Sequence, residues 1–148
     1  MTQIRSRPVS QRVQWQLEQQ GLHPLLARVY AGRGIVARSE LDYEFSSLLL
    51  PTRLTNAAAA AVILADAIAD RQRILIVADY DCDGATACAL GIRALRACGA
   101  TVDYLVPNRF TYGYGLSPDI VDLAASRKPA LIVTVDNGIA SVDGVARA

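Results

Sequence analysis

Three carboxylates at alternate positions, Asp79, Asp81 and Asp83, directly follow the apolar run Ile74-Leu75-Ile76-Val77-Ala78 and precede Gly84-Ala85-Thr86-Ala87. The run is short, rich in branched residues and bounded by Arg73 and the acidic turn, so it reads as a buried strand. Gly84 onward carries a helical pattern. Side chains two apart on extended backbone point the same way, so the turn can present several carboxylates to one point. Like charges that close repel one another unless a cation intervenes. Hard oxygen donors of this kind suit Mg²⁺ or Mn²⁺. The plainer alternative is a polar turn in which Asp83 caps the helix beginning near Gly84. Acids clustered at a strand's carboxyl end favour the metal, because open α/β sheets place their ligands there.

Other motifs share these letters. Asp79 to Gly84 fits the first half of a calcium-binding EF-hand loop, but Leu90 holds the twelfth position, where a bidentate Glu is required. The preceding element also reads as strand, not helix. Asp81-Cys82-Asp83-Gly84 is similar to the aspartyl-nucleophile turn of haloacid-dehalogenase-type phosphatases, in which Thr usually follows the Gly. Ala85 stands in that place and Thr86 comes one later, which weakens that alternative and leaves it open.

A second acidic turn, Thr134-Val135-Asp136-Asn137-Gly138-Ile139, closes another apolar run. Alone, Asp-Asn-Gly is an ordinary turn. If the two runs are neighbouring strands of one parallel sheet, Asp136 approaches Asp81 and Asp83 and can bridge to a second cation. Two ions about 3.5 to 4 Å apart clamp the attacking and leaving oxygens of a phosphoester. The loop Pro107 to Leu116 combines Arg109 with Phe110, Tyr112, Tyr114 and flexible glycines. Arg109 could grip a phosphate, and an aromatic ring could stack on a base; an aromatic-stapled loop with no ligand is the competing reading.

These residues need elements to position them. Strands at Ile74–Ala78, Val102–Val106 and Ala130–Val135 alternate with helices at Gly84–Cys98 and Ser117–Ser126, which implies right-handed crossovers and a parallel sheet. A long helix from about Asn56 to Asp70, with Asn56 as cap, should pack its broad apolar face on the sheet. Short helices are expected at Pro24–Tyr30 and Ser39–Leu49, and residues 1–20 read as frayed, with Trp15 and Leu17 as anchors. The expected architecture is α/β, a parallel sheet with flanking helices. The expected division is a helical lead-in over 1–72 and a sheet domain over 73–148.

At 148 residues and 52% hydrophobic, the chain is long enough for one real core. No apolar stretch reaches the roughly 18 residues of a membrane span, and the charged start Met1 to Pro8 has no apolar segment behind it. Both point to a soluble, cytoplasmic protein without a membrane partner. Cys82, Cys88 and Cys98 lack zinc-site spacing and read as reduced, small core residues, with Cys82 packed under its turn. Net charge is only +1, yet Arg5, Arg7, Arg12, Arg28, Arg33 and Arg38 face a single acid, Glu18, over residues 1–39. A basic arm together with an acidic site suits a polyanion held and then cut; solvated surface arginines are the ordinary explanation.

In order along the chain, Val77-Ala78-Asp79-Tyr80-Asp81-Cys82-Asp83-Gly84-Ala85-Thr86, Leu105-Val106-Pro107-Asn108-Arg109-Phe110 with Gly113-Tyr114-Gly115-Leu116, and Thr134-Val135-Asp136-Asn137-Gly138-Ile139 resemble the DHH phosphoesterase superfamily, specifically its RecJ-type single-strand-specific exonucleases. The aspartate turn alone indicates the superfamily; the Asn108–Leu116 loop narrows it. The resemblance runs from Leu25 to the end. It implies a 5′-to-3′ exonuclease on single-stranded DNA that uses Mn²⁺ or Mg²⁺ in a two-metal site, acts in recombination and repair, and meets other repair proteins. By matching motif, Asp79, Asp81, Asp83 and Asp136 would be metal ligands, with Asp81, Asp83 and Asp136 catalytic, and Arg109 and Tyr114 would contact the nucleic acid. The family's Asp-His-His motif lies beyond these residues, and the only histidine is His23. The chain therefore reads as the amino-terminal part of a longer enzyme, inactive or weakly active alone. Two other functions stay in view: phosphoester or pyrophosphate hydrolysis on small nucleotides, and non-catalytic binding of a metal or partner.

Overall fold

The computed structural model describes residues 5–148, so the first four residues of the charged arm lie outside the described residues. The chain forms two compact units, one through Arg53 and one from Leu54. Compaction thus divides the chain ahead of the long helix, which joins the sheet unit.

The first unit is built on α1 (Gln11–Gln19) and α2 (Pro24–Ala31). Residues 10–20, expected to be frayed, are a capped helix. Ser10 Oγ accepts the Val13 N–H, and Leu17 is wholly buried; Trp15, expected as a second anchor, is exposed. His23 caps α2, its Nδ1 accepting the Leu25 N–H, with Pro24 at the first helical position. The helix expected over Ser39–Leu49 is replaced by short 3₁₀ turns at Arg38–Leu41, Phe45–Ser47 and Pro51–Arg53. Side chains that compete for backbone explain this: Glu40 accepts the N–H groups of Val36 and Ala37, and Asp42 accepts that of Glu44.

The second unit contains α3 (Ala57–Ala69), β1 (Arg73–Ala78), α4 (Cys82–Ala97), β2 (Thr101–Leu105), the single turn α5 (Arg109–Tyr112), α6 (Pro118–Ala125), β3 (Leu131–Val135) and α7 (Val142–Arg147). The strands form one parallel sheet in the order β2-β1-β3. Alternation along β1 sends Ile74, Ile76 and Ala78 to one face and Leu75 and Val77 to the other. The first face packs against Ala67, Leu64 and Ile68 of α3 and Cys88, Ile92 and Leu95 of α4. The second packs against Leu116 and against Ile120, Val121 and Ala124 of α6. The expected α/β architecture is therefore present, with a buried central strand covered on both sides. Two local readings differ. Asn56 occupies the cap position of α3 in the left-handed region (φ 59°) and makes no side-chain cap bond among the described residues, and Cys82 and Cys98 are exposed where core positions were expected.

The order β2-β1-β3 matters for function. α4 carries the chain from β1 to β2 over one face, and α6 carries it to β3 over the other. The crossovers diverge at the carboxyl ends of β1 and β3, and a crevice opens at such a switch point.

Candidate metal centre

Ala78, the last residue of β1, pairs with Val135, the last residue of β3. Asp79 and Asp136 therefore leave adjacent strands at the same rim. Asp79, Asp81 and Asp136 each bring one carboxylate oxygen into a group whose atoms all lie within 4.8 Å of one another. Oxygens opposite each other around a Mg²⁺-sized ion at roughly 2.1 Å would be about 4.2 Å apart, so this group closes on an ion with only small adjustment. The donor set, hard and anionic, also fits.

Each acid is held differently. Asp79 is 8% exposed; one oxygen accepts the Tyr80 N–H at 2.8 Å and the other accepts Arg109 Nη2 at 2.8 Å. A buried carboxylate needs such partners. Asp81 is the N-cap of α4, its Oδ1 accepting the Gly84 N–H at 2.9 Å, which leaves its second oxygen for an ion. Gly84 is required there, because a Cβ would stand 2.5 Å from the Asp79 carbonyl oxygen. Asp83 lies in the first turn of α4 and is outside the converging group among the described residues. Its charge nevertheless reaches Asp136.

Asp136 adopts φ 59°, a left-handed conformation that Asp tolerates better than most side chains. Its carboxyl is pushed above the usual carboxylate range by desolvation, then by the charge of Asp81 and a hydrogen bond with it, and further by Asp83 and Asp79. The side chain is exposed, so the crowd of negative charge is the cause the geometry makes plainest. A divalent ion removes that repulsion.

The loop after β2 spans both acidic turns. Asn108 Oδ1 accepts the Phe110 N–H and starts α5; Gly113 and Gly115, at φ 76° and 84°, turn the chain back. Arg109 lies over the Tyr80 ring at 4.2 Å and the Tyr114 ring at 5.1 Å while it pairs with Asp79. Tyr114 donates its hydroxyl to the Asp136 carbonyl at 3.0 Å. Both residues expected to touch nucleic acid thus also serve inside the protein. Tyr112 is half-buried against the core, and Phe110 is fully exposed.

Two clefts flank the carboxylates. One, of about 310 Å³, is lined by Tyr80, Val106, Pro107, Asn108, Arg109 and Phe110. The other, of about 370 Å³, is lined by Tyr114, Asp136, Asn137 and Gly138 among others. Sequence reasoning did not single out Tyr80, Gly84 or Asn137. Asn137 Nδ2 donates to the Val135 carbonyl at 3.1 Å, and its buried Oδ1 has no hydrogen-bond partner among the described residues. Its place directly after the strand-ending acid was the available signal.

Comparison with known proteins bears on this arrangement. Residues 73–148 match the DHH family, N-terminal domain. The chain belongs to the DHH family. The single-stranded-DNA-specific exonuclease RecJ of Escherichia coli (strain K12) is 46% identical over 147 residues, covering 99% of this chain and 25% of that protein. The protein of the same name from Bacillus subtilis (strain 168) is 33% identical over 140 residues, covering 92% of this chain and 18% of that one. Among solved structures, an exonuclease RecJ bound to manganese superposes with TM-score 0.56 at 36% identity, over 62% of this chain and 24% of that one. RecJ from Thermus thermophilus in complex with Mn²⁺ gives TM-score 0.56 at 28% identity, over 94% of this chain and 19% of that one. This DHH-family chain spans about a quarter of the length of the Escherichia coli RecJ that it matches.

Proposed function

We propose that this chain carries part of the active centre of a metal-dependent exonuclease that hydrolyses phosphodiester bonds of single-stranded DNA from the 5′ end. The convergence of Asp79, Asp81 and Asp136 at the shared rim of β1 and β3 carries the reading. Its likeness to RecJ exonucleases supplies the substrate class. Those three acids, with Asp83 in the first turn of α4, would hold Mn²⁺ or Mg²⁺, which when bound supply Lewis-acid stabilisation and a more acidic water.

The remaining residues hold and orient the strand. Arg109 commits Nη2 to Asp79 and keeps further N–H donors for a phosphate, so it can fix a phosphodiester against the carboxylates. The exposed ring of Phe110, with Tyr80 and the apolar cleft between them, offers a stacking surface for a base. Tyr114 presents its ring on the other side of Arg109. The work belongs to recombination and repair in the cytoplasm, with further repair proteins as partners of the complete enzyme. Among the described residues, no single helix is long and apolar enough to cross a membrane.

The test uses a polypeptide extended to the length of the RecJ relatives. It should release mononucleotides from 5′-phosphorylated single strands in Mn²⁺ and leave duplexes intact. Asp81→Ala and Asp136→Ala should each lower the rate by more than about 100-fold, beyond the loss typical of residues that only support a metal ligand. Wild-type rates in both variants would refute the proposal.

A further inference from the structure

The loop between β2 and α6 does more than face a ligand, and Tyr114 shows how. Asp136 directs its carboxylate at Asp81 from a left-handed backbone (φ 59°), which Asp enters more readily than most side chains but still at a cost relative to the extended region. Behind it, Asn137 ties its side chain to the Val135 carbonyl at 3.1 Å, which fixes the chain after Asp136 but leaves the Asp136 carbonyl itself to another donor; Gly138 follows at positive φ (103°) and Ile139 is fully exposed. Among the described residues, the Asp136 carbonyl accepts one side-chain donor, the Tyr114 hydroxyl at 3.0 Å. The Tyr114 ring is in turn set by Arg109, whose guanidinium lies 5.1 Å from it and is itself tied to Asp79 at 2.8 Å. A continuous strut therefore joins the β1 turn to the β3 turn.

Resting on the metal reading above, we propose that Tyr114 is a positioning residue: its hydroxyl locks the Asp136 peptide so that the carboxylate stays within reach of the ion shared with Asp79 and Asp81. This separates two roles by atom. The hydroxyl is used inside the protein, while the ring, with Tyr114 64% exposed, remains open to a base. Released from the hydroxyl, the Asp136 peptide can turn toward the extended region and carry the carboxylate away from the other two.

Tyr114→Phe removes one exposed oxygen and keeps the ring, so the fold should survive; melting curves of each variant check this. Mn²⁺ binding to the full chain, followed by the electron paramagnetic signal of the free ion, should weaken about tenfold in Y114F, the lower end of what a residue supporting a metal ligand contributes. In an Asp136→Ala background the same change should do nothing, because the group it positions is gone. Wild-type Mn²⁺ affinity in Y114F, with D136A weakened, overturns the positioning role while leaving the metal site standing. An equal loss in both backgrounds overturns it too, since the hydroxyl then acts elsewhere. If D136A binds Mn²⁺ as well as wild type does, both this inference and the metal reading fall.

Discussion

At the scale of single residues, the candidate site is a set of negative charges held together without a matching number of positive ones. Arg109 offsets Asp79, whereas Asp81, Asp83 and Asp136 crowd one another, and the Asp136 carboxyl is pushed up by desolvation and by those neighbouring charges. The sign for stability follows. An acid whose pKa is higher in the folded state contributes stability fully below its unfolded pKa, and that contribution is lost as pH rises through the raised folded value. Without metal, Asp136→Asn should therefore raise the melting temperature at neutral pH, with the advantage shrinking as the medium is acidified into the carboxylate range. Because an ion must displace the proton, Mn²⁺ affinity should begin to fall at a higher pH than for an ordinary carboxylate, and D136N should flatten that dependence; titrations across about pH 4 to 7 read both effects. Arg109 makes the opposite contribution. Arg109→Gln leaves the buried Asp79 with its Tyr80 bond alone, and should cost about 1–2 kcal/mol in metal-free denaturation, the lower part of the usual range because the arginine is 40% exposed. Saturating Mn²⁺ should shrink that loss, since the ion then offsets the Asp79 charge.

At the scale of elements, the turn between β1 and α4 concentrates the most information. Asp81 caps the helix and Gly84 lets the helix start against the Asp79 carbonyl, so capping and the proposed ligation share one short segment. Gly84→Ala should force the turn open, destabilise the chain by about 1–3 kcal/mol and weaken Mn²⁺ binding together with it. A variant that lost stability but bound Mn²⁺ like wild type would separate the two functions of the turn. This segment was legible because the period of apolar residues changes abruptly at Ala78, from a branched run to a helical face. The choice of cap was not: Asp81 and Asp83 both precede Gly84, and only the backbone shows that Asp81 takes the extended conformation a cap needs. Likewise Ser39–Leu49 looks helical by composition, and the local bonds of Glu40 and Asp42 decide otherwise. Roles that depend on contacts between distant segments, such as Tyr80 under Arg109 or Tyr114 on the Asp136 carbonyl, leave no periodic trace in the sequence.

At the scale of the molecule, sheet order determines both where the site lies and how the chain should behave in solution. With β1 central, both acidic turns fall at the switch point between diverging crossovers, which is why two strands separated by more than fifty residues share one rim. The same order leaves β3 paired on one side only among the described residues. Beyond it, Ile139 and the α7 residues Val142 and Val145 are exposed and apolar. An unpaired parallel strand bordered by exposed aliphatic side chains is a surface on which second copies pair. The 148-residue chain should therefore self-associate as its concentration rises into the tens of micromolar, a range in which exposed edges commonly aggregate. Val142→Lys with Val145→Glu places opposite charges on α7 without touching the sheet core, so it should leave unfolding within about 0.5 kcal/mol of wild type while lowering association. Sedimentation velocity at several loading concentrations measures the effect. A wild-type chain that stays monomeric throughout would show that the β3 edge is protected by its own twist and loops, and unchanged association in the double variant would move the contact away from α7.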